Sequence, residues 1–463
     1  MHHWEGKQVV IIGAARQGVA LSRYLASKGA KVILNDRRSE KELQAARDEL
    51  APYQITWVTG AHPVEILSGA DLVCLSGGVP LNLPIVEAAA HRNIPLSNDS
   101  QIFLEETPCP VIGITGSSGK TTTTALVGEI ARQHYSLKKP HRSVWVGGNI
   151  GNPLIQDLDR MHSDDLAVME LSSFQLEIMT HSPQVAAILN LTPNHLDRHD
   201  SMAKYISAKS HILTHQSPQD IAVLNRDDLH IRKLYPEVKG RMITFGINPP
   251  HDHQDATYFK RGKLYLQASG QLAKIVRADQ INLRGTHNLT NVLAAIAISA
   301  AAALSLQAIY EGIIGFQGVP HRLEFVREWG GAAWYNDSIA TSPERTIAAL
   351  KSFEEPIILL AGGRDKDLPW EDLAGLIRQK VDHLILFGEA AGLIHDVLGH
   401  TAPGSRPQTI DLCEGLEVAV QKAAEHASPG DVVLLSPGGT SFDEFIDFED
   451  RGKRFMQWVK ELT

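Results

Sequence analysis

Val111-Ile112-Gly113-Ile114-Thr115-Gly116-Ser117-Ser118-Gly119-Lys120-Thr121-Thr122 runs from an apolar strand through a glycine-rich turn into a helix that opens at Lys120. Glycines let such a turn fold tightly enough for its N–H groups to point inward at phosphate oxygens, and the helix N-terminus adds partial positive charge. Lys120 can reach the terminal phosphates, and the Thr121 hydroxyl suits Mg2+, which prefers hard oxygen donors. The common GxxxxGK spacing would place a glycine at 114, where Ile114 stands, so the loop is a shorter variant.

Outward from this loop the chain alternates strand and helix. Downstream lie apolar strands at 166–169, 185–189 and 221–224, and upstream at 8–12, 31–35, 71–75 and 94–97. Pro108 and Pro110 interrupt the pattern before the loop, and 316–320, with Gly318 and Pro320, interrupt it again. Strands at 356–360, 383–387 and 432–435 follow. With 463 residues and about 100 to 200 residues per domain, three α/β domains are expected. These are an N-terminal Rossmann-like domain (1–106), a central P-loop ATPase-like domain with a mixed or parallel sheet (107–318) and a C-terminal Rossmann-like domain (319–463). The Ala-rich run 294–303 reads as a packed helix.

Composition bounds the function. The chain is 43% hydrophobic and 21% charged, which fits folded domains and excludes a mostly disordered chain. A net charge of -9 argues against a dedicated nucleic-acid binder. Cys74, Cys109 and Cys413 form no CxxC pair, which fits a reducing cytoplasm better than a disulfide framework. The N-terminus lacks a signal-like apolar stretch and no window of about 18 apolar residues occurs, so a soluble protein without membrane insertion is expected.

Other polar residues cluster after strands. Glu170 ends the 166–169 strand, where a further magnesium ligand is expected beside a phosphate loop, although a lone strand-end carboxylate is common. The loop from Asn190 to His199 concentrates polar groups, and His195 can ligate a metal or take a proton. Lys204 and Lys209 fall on a helix over 203–215, for which a solvated face is the default reading. Near the N-terminus, Gly13-Ala14-Ala15-Arg16-Gln17-Gly18 followed by Asp36 imitates a dinucleotide fingerprint, but Ala15 replaces the middle glycine. A redox cofactor is disfavoured, and Asp36 is open to reading as a strand-end cap.

Together these stretches resemble the Mur ligase family, ATP-dependent amide-forming enzymes of peptidoglycan precursor synthesis. The likeness spans nearly the whole chain: the TGSSGKT loop, Gly147 to Gly151, Glu170 to Glu177, Asn190 to Asp197, Leu283 to Asn288 and Pro320-His321-Arg322. The 170–177 stretch and Ser436 to Phe445 are most similar to the branch that adds glutamate to UDP-N-acetylmuramoyl-L-alanine through an acyl phosphate.

The resemblance implies roles residue by residue. ATP would be held by Gly116, Ser117, Ser118, Gly119, Lys120, Thr121 and Thr122, with Asn288 and Asn291 on the adenine side and Arg322 and Asp337 also reaching the nucleotide. Two Mg2+ ions would use Thr121, Glu170, His195 and Lys209, the last as a carbamate. Lys120, His195 and Lys209 would be catalytic. Ala14, Ala15, Asp36, Arg37, Ser76, Gly78, Asn149 and Ser172 would hold the UDP-substrate, and Lys366, Ser441 and Phe448 the incoming amino acid.

Three positions depart from the family pattern: Ser118 stands for Asn, Asn194 for Asp, and Ile339 for the lysine of glutamate-adding ligases. D-glutamate is the expected acceptor, with L-glutamate or another amino acid left open by Ile339. A nucleotide-gated ATPase that ligates nothing is the alternative from another class.

Overall fold

In the computed structural model, residues 3–138, 141–149, 151–194, 196–250, 254–399 and 404–463 are described. They fall into two compact units, one of residues 1–281 and 286–316, the other of 282–285 and 317–463.

The first unit holds two sheets. Strands β1 (Gln8–Ile12), β2 (Lys31–Asp36), β3 (Ile55–Thr59), β4 (Leu72–Leu75) and β5 (Leu96–Ser97) form an all-parallel sheet in the order 3-2-1-4-5. The expected strands are present, and β3 was not anticipated: Ile55-Thr56-Trp57-Val58-Thr59 sits at the sheet edge with one residue exposed and four half-buried, so it carries no continuous apolar signal.

The second sheet comprises β6 (Val111–Thr115), β7 (Val144–Gly148), β8 (Leu166–Glu170), β9 (Val185–Ile188), β10 (Ile221–Asn225), β11 (Arg241–Gly246), β12 (Ala256–Lys260), β13 (Lys263–Ala268) and β14 (Gln271–Arg277), ordered 14-13-12-11-10-9-6-8-7. It is parallel from β7 to β12, and β13 and β14 add antiparallel edge strands, so the sheet is mixed. β6 is buried along its whole length, as a central parallel strand must be. The chain passes from β6 to β7 on one side and returns through β8 to β9 on the other, which makes the C-terminal end of β6 a switch point where open α/β sheets bind ligands. One apolar cluster joins the two sheets, including Val9, Leu34, Leu154, Met169, Leu176 and Ile188.

The second unit is a sheet of β15 (Glu324–Trp329), β16 (Ala332–Asn336), β17 (Ile357–Gly362), β18 (Val381–Phe387), β19 (Thr409–Cys413) and β20 (Val432–Gly438), ordered 15-16-20-17-18-19 with β15 antiparallel. Apolar clusters cover both of its faces. No helix among the described residues is long and apolar enough to cross a membrane.

Candidate active site

The helix Lys120–Lys138 starts directly after the phosphate loop, as the sequence predicts. Gly119 has φ +79°, and a Cβ there would lie 2.2 Å from the Asn291 Oδ1, so only glycine lets the loop pack against the helix Thr286–Ala301. Asn288 is paired with Asn291 at 2.9 Å, which places both predicted adenine-side residues beside the loop. Asn190 fastens the loop from the β9 side: its Oδ1 accepts from Ser118 N at 2.8 Å, and its backbone carbonyl accepts from Ser117 N at 2.9 Å. Ser117 Oγ lies 2.9 Å from both Thr192 O and Tyr205 Oη. Lys120 Nζ folds back onto Gly116 O at 2.8 Å.

Register brings Glu170 to this loop. Ile114 on β6 and Gly148 on β7 are both its strand neighbours. A Cβ at Gly148, whose φ is +103°, would sit 2.5 Å from Glu170 O, so glycine permits the close turn that presents Asn149. Thr121 Oγ1 donates to Glu170 Oε2 and Asn149 Nδ2 to Oε1, each at 2.9 Å. Glu170 is buried, and its two oxygens meet a hydroxyl and an amide rather than a cation.

Lys209 corrects the sequence reading of a solvated helix face. On the helix Met202–Thr214 it is 1% exposed, whereas Lys204 is solvated and paired with Asp200. Its Nζ donates to Thr115 Oγ1 and Gly116 O, each at 3.0 Å, and lies 5.0 Å from the Tyr205 ring centroid. Burial, reinforced by the Lys120 charge and opposed by Glu170, pushes its pKa well below the ordinary lysine range. His195 lies outside the described residues.

Ser172 caps the short helix Ser173–Leu176 in a reciprocal box with Gln175, and Gln175 Nε2 reaches Ser100 Oγ at 2.7 Å. Asp36 ties the N-terminal turn together, accepting from Ala14 N at 2.8 Å and from the Arg38 backbone and guanidinium. Burial alone would raise this carboxyl, but the Arg38 side chain and the backbone donors hold it well below the usual range. Arg38, missed in the sequence, is thus the partner of Asp36, while Arg37 is exposed. Ala15 starts the helix Arg16–Ser27, and Ser76 and Gly78 line a cavity of about 620 Å³ that also touches Phe174, Gln175, Arg198 and Lys204.

In the second unit, His321 (φ 62°) and Leu323 (φ 44°) hold left-handed conformations on either side of Arg322. Asp337 Oδ1 accepts from Leu323 N at 3.2 Å, and its Oδ2 from Ser436 Oγ at 2.8 Å. Burial raises this carboxyl to about 7 against those donors and the Arg322 and Arg345 charges. Arg451, also missed, is fully buried and donates to Ser338 Oγ, Ser338 O, Thr440 O and Gly439 O at 2.9 to 3.2 Å, fixing the segment that carries Ser441. Phe448 opens the helix Phe448–Glu461, and its carbonyl accepts from Ser338 Oγ at 2.8 Å. Lys366 follows β17 and is solvent-exposed.

Comparison with known proteins agrees with this arrangement. Residues 7–98 match the Mur ligase MurD-like N-terminal domain, 114–299 the Mur ligase middle domain and 321–439 the Mur ligase glutamate ligase domain. The chain belongs to the Mur ligase family and is an ATP-dependent, amide-bond-forming ligase. It is 40% identical over 460 residues to the UDP-N-acetylmuramoylalanine--D-glutamate ligase of Symbiobacterium thermophilum, covering 99% of this chain and 98% of that one. It is 38% identical over 457 residues to the enzyme of the same name from Pelotomaculum thermopropionicum, covering 98% of each. The fold is shared with the UDP-N-acetylmuramate-alanine ligase MurC of Thermotoga maritima, with TM-score 0.58 and 21% identity over 98% of this chain and 99% of that one.

Proposed function

We propose that this protein joins D-glutamate to UDP-N-acetylmuramoyl-L-alanine at the expense of ATP, in the cytoplasm, as a step of peptidoglycan precursor synthesis. The observation that carries this reading is the phosphate loop at a sheet switch point with Glu170, Asn149 and Lys209 around its base. The full-length likeness to D-glutamate ligases favours the D enantiomer despite Ile339. Both partners are small molecules, and the net charge of -9 gives no reason to invoke a nucleic acid.

A carboxylate is a poor electrophile because hydroxide leaves badly. In this reading the alanyl carboxylate oxygen attacks the γ-phosphorus of ATP, the bond to the β-phosphate bridge breaks, and ADP departs. Lys120 and the loop N–H groups of Gly116 to Thr122 hold the phosphates and spread their charge. The glutamate amine then attacks the acyl carbon and loses a proton, and phosphate leaves as the amide forms. The three modules 1–106, 107–318 and 319–463 divide the work between UDP-substrate, ATP and amino acid. Ala14, Ala15, Asp36, Arg37, Ser76, Gly78, Asn149 and Ser172 are assigned to the first ligand. Asn288, Asn291, Arg322 and Asp337 complete the ATP set, and Lys366, Ser441 and Phe448 take the amino acid.

The residues at the loop suit magnesium: the Thr121 hydroxyl and the buried Glu170 carboxylate are hard oxygen donors in contact with each other. Lys209 as an ammonium is no ligand, but a buried amine with a depressed pKa can add carbon dioxide and become an anionic oxygen donor. Bound there, two magnesium ions would supply charge neutralisation for the transferred phosphoryl group.

Phosphate release measured with ATP alone, and then with UDP-N-acetylmuramoyl-L-alanine and each glutamate enantiomer, tests the reading. Release is expected only when the acid and D-glutamate are both present. Equal release without them would identify an ATPase, and a preference for L-glutamate would change the acceptor.

A further inference from the structure

We propose that Arg345 supplies the second cation of the amino-acid subsite, taking one carboxylate of the incoming glutamate while Lys366 takes the other. This rests on the ligase reading above. Glutamate carries two carboxylates, so a site that holds both needs two charge-assisted partners. Position 339 offers none, because Ile339 is apolar.

The parallel strands β16, β20 and β17 are neighbours, so the segments leaving their C-terminal ends lie along one edge: Asp337 to Thr341, Gly439 to Ser441 and Gly363 to Lys366. Arg364 N and Thr440 O, at 2.9 Å, clip two of these segments together. Arg345 lies in the first turn of the helix Pro343–Leu350 that follows. Its Nη1 donates to Ile339 O at 2.9 Å, so the guanidinium folds back over the position that lacks a cation.

Of the other cations along this edge, Arg364 is bound to both oxygens of Glu389 at 2.8 and 2.9 Å. Arg451 is buried and spends its guanidinium on three backbone carbonyls and the Ser338 hydroxyl. Among the described residues, Arg345 and Lys366 have no ion pair with Asp or Glu, and the Lys366 ammonium makes no hydrogen bond, its backbone N–H alone donating to Asp365. They are nevertheless neighbours: partial burial first, then the Arg345 and Arg451 charges, lower the Lys366 ammonium. Arg345 also acts on the buried Asp337 carboxyl, but neither it nor Lys366 makes an ion pair, and a dicarboxylate would relieve the repulsion between them. One N–H of the Arg345 fork is used by Ile339, which leaves the rest for a carboxylate.

The test is steady-state kinetics on the full chain, with KM determined separately for D-glutamate, ATP and UDP-N-acetylmuramoyl-L-alanine. Arg345→Ala should raise the D-glutamate KM by about tenfold or more while the other two stay within about twofold. Arg345→Lys should lose less, and adding Ile339→Lys to Arg345→Ala should recover most of the loss by restoring a cation from the other side. Thermal unfolding of each variant, with Arg345→Gln as a second charge-removing change, separates this from loss of fold. An unchanged D-glutamate KM, an equal rise in all three constants, or no recovery with Ile339→Lys overturns the inference. If the unmutated protein itself forms no amide product, the ligase reading falls and takes the inference with it.

Discussion

Lys120 and Lys209 share one acceptor: both ammonium groups donate to the carbonyl of Gly116, at 2.8 and 3.0 Å. Two cations on a single carbonyl repel, and the Lys120 charge is one reason the Lys209 pKa is depressed. In the ligation reading, the γ-phosphate draws Lys120 to itself and carbamate formation reverses the charge of Lys209. Lys120→Ala should therefore abolish ATP-dependent amide formation, seen as phosphate release at the no-enzyme rate. Robust turnover in that variant contradicts the assignment of the loop.

Lys209→Ala should be inactive yet fold, and short-chain carboxylic acids added in solution should restore part of the activity by standing in for the carbamate. The check is turnover against acid concentration. A flat response removes the support for modification of this lysine.

Glu170→Gln keeps a similar shape between the Thr121 hydroxyl and the Asn149 amide but removes the anionic oxygens. Turnover should drop by about a hundredfold or more, with a higher magnesium concentration needed for half-maximal rate. Normal magnesium dependence in a folded Glu170→Gln protein would exclude Glu170 as a ligand.

Much of this site was legible in the chain. The apolar strand Val111–Thr115, the loop glycines and Lys120 announce themselves because glycine, lysine and a β-rich run have few other reasons to occur together. Glu170 and Lys209 were named, the first from its place after a strand beside the loop and the second through the family resemblance, but their burial was not legible: a strand-end carboxylate and a helix lysine usually face water, and only register and helix packing bury them. Arg38 and Arg451 were missed for the same reason, since nothing local separates an arginine bound to Asp36 or to buried carbonyls from a solvated one. The antiparallel edge strands β13 and β14 were invisible because β13 is half-buried at most positions and β14 is largely exposed over its first four residues, so neither carries a continuous apolar run.

Asp99 offers a pH test away from the chemistry. It is 2% exposed, and burial raises its pKa from 3.8 to about 7, against the Asp99 and Ser100 backbone donors, Gln175 and the Arg16 charge. The native state thus binds an extra proton between those values, so the stability contributed is present below the unfolded pKa and lost as pH rises through the native one. Asp99→Asn should flatten the fall in thermal midpoint between about pH 4 and pH 8, an effect on the order of a few kcal/mol. A wild-type fall that is just as steep in Asp99→Asn would show that the carboxyl is already ionised at low pH.

Arg451→Met should destabilise the second unit by about 3–5 kcal/mol, because the carbonyls of Ser338, Gly439 and Thr440 lose a buried charged donor. Denaturant unfolding followed by the Trp334 environment measures it, since this buried ring packs against Phe455 in the same unit. A change under about 1 kcal/mol would mean those carbonyls find other donors.

The most direct measurement uses UDP-N-acetylmuramoyl-L-alanine with heavy oxygen in its carboxylate, incubated with the protein, ATP and D-glutamate. If the acid is phosphorylated before the amide forms, one labelled oxygen leaves in each inorganic phosphate, in step with product. Phosphate that carries no label while amide product accumulates would contradict the acyl-phosphate route.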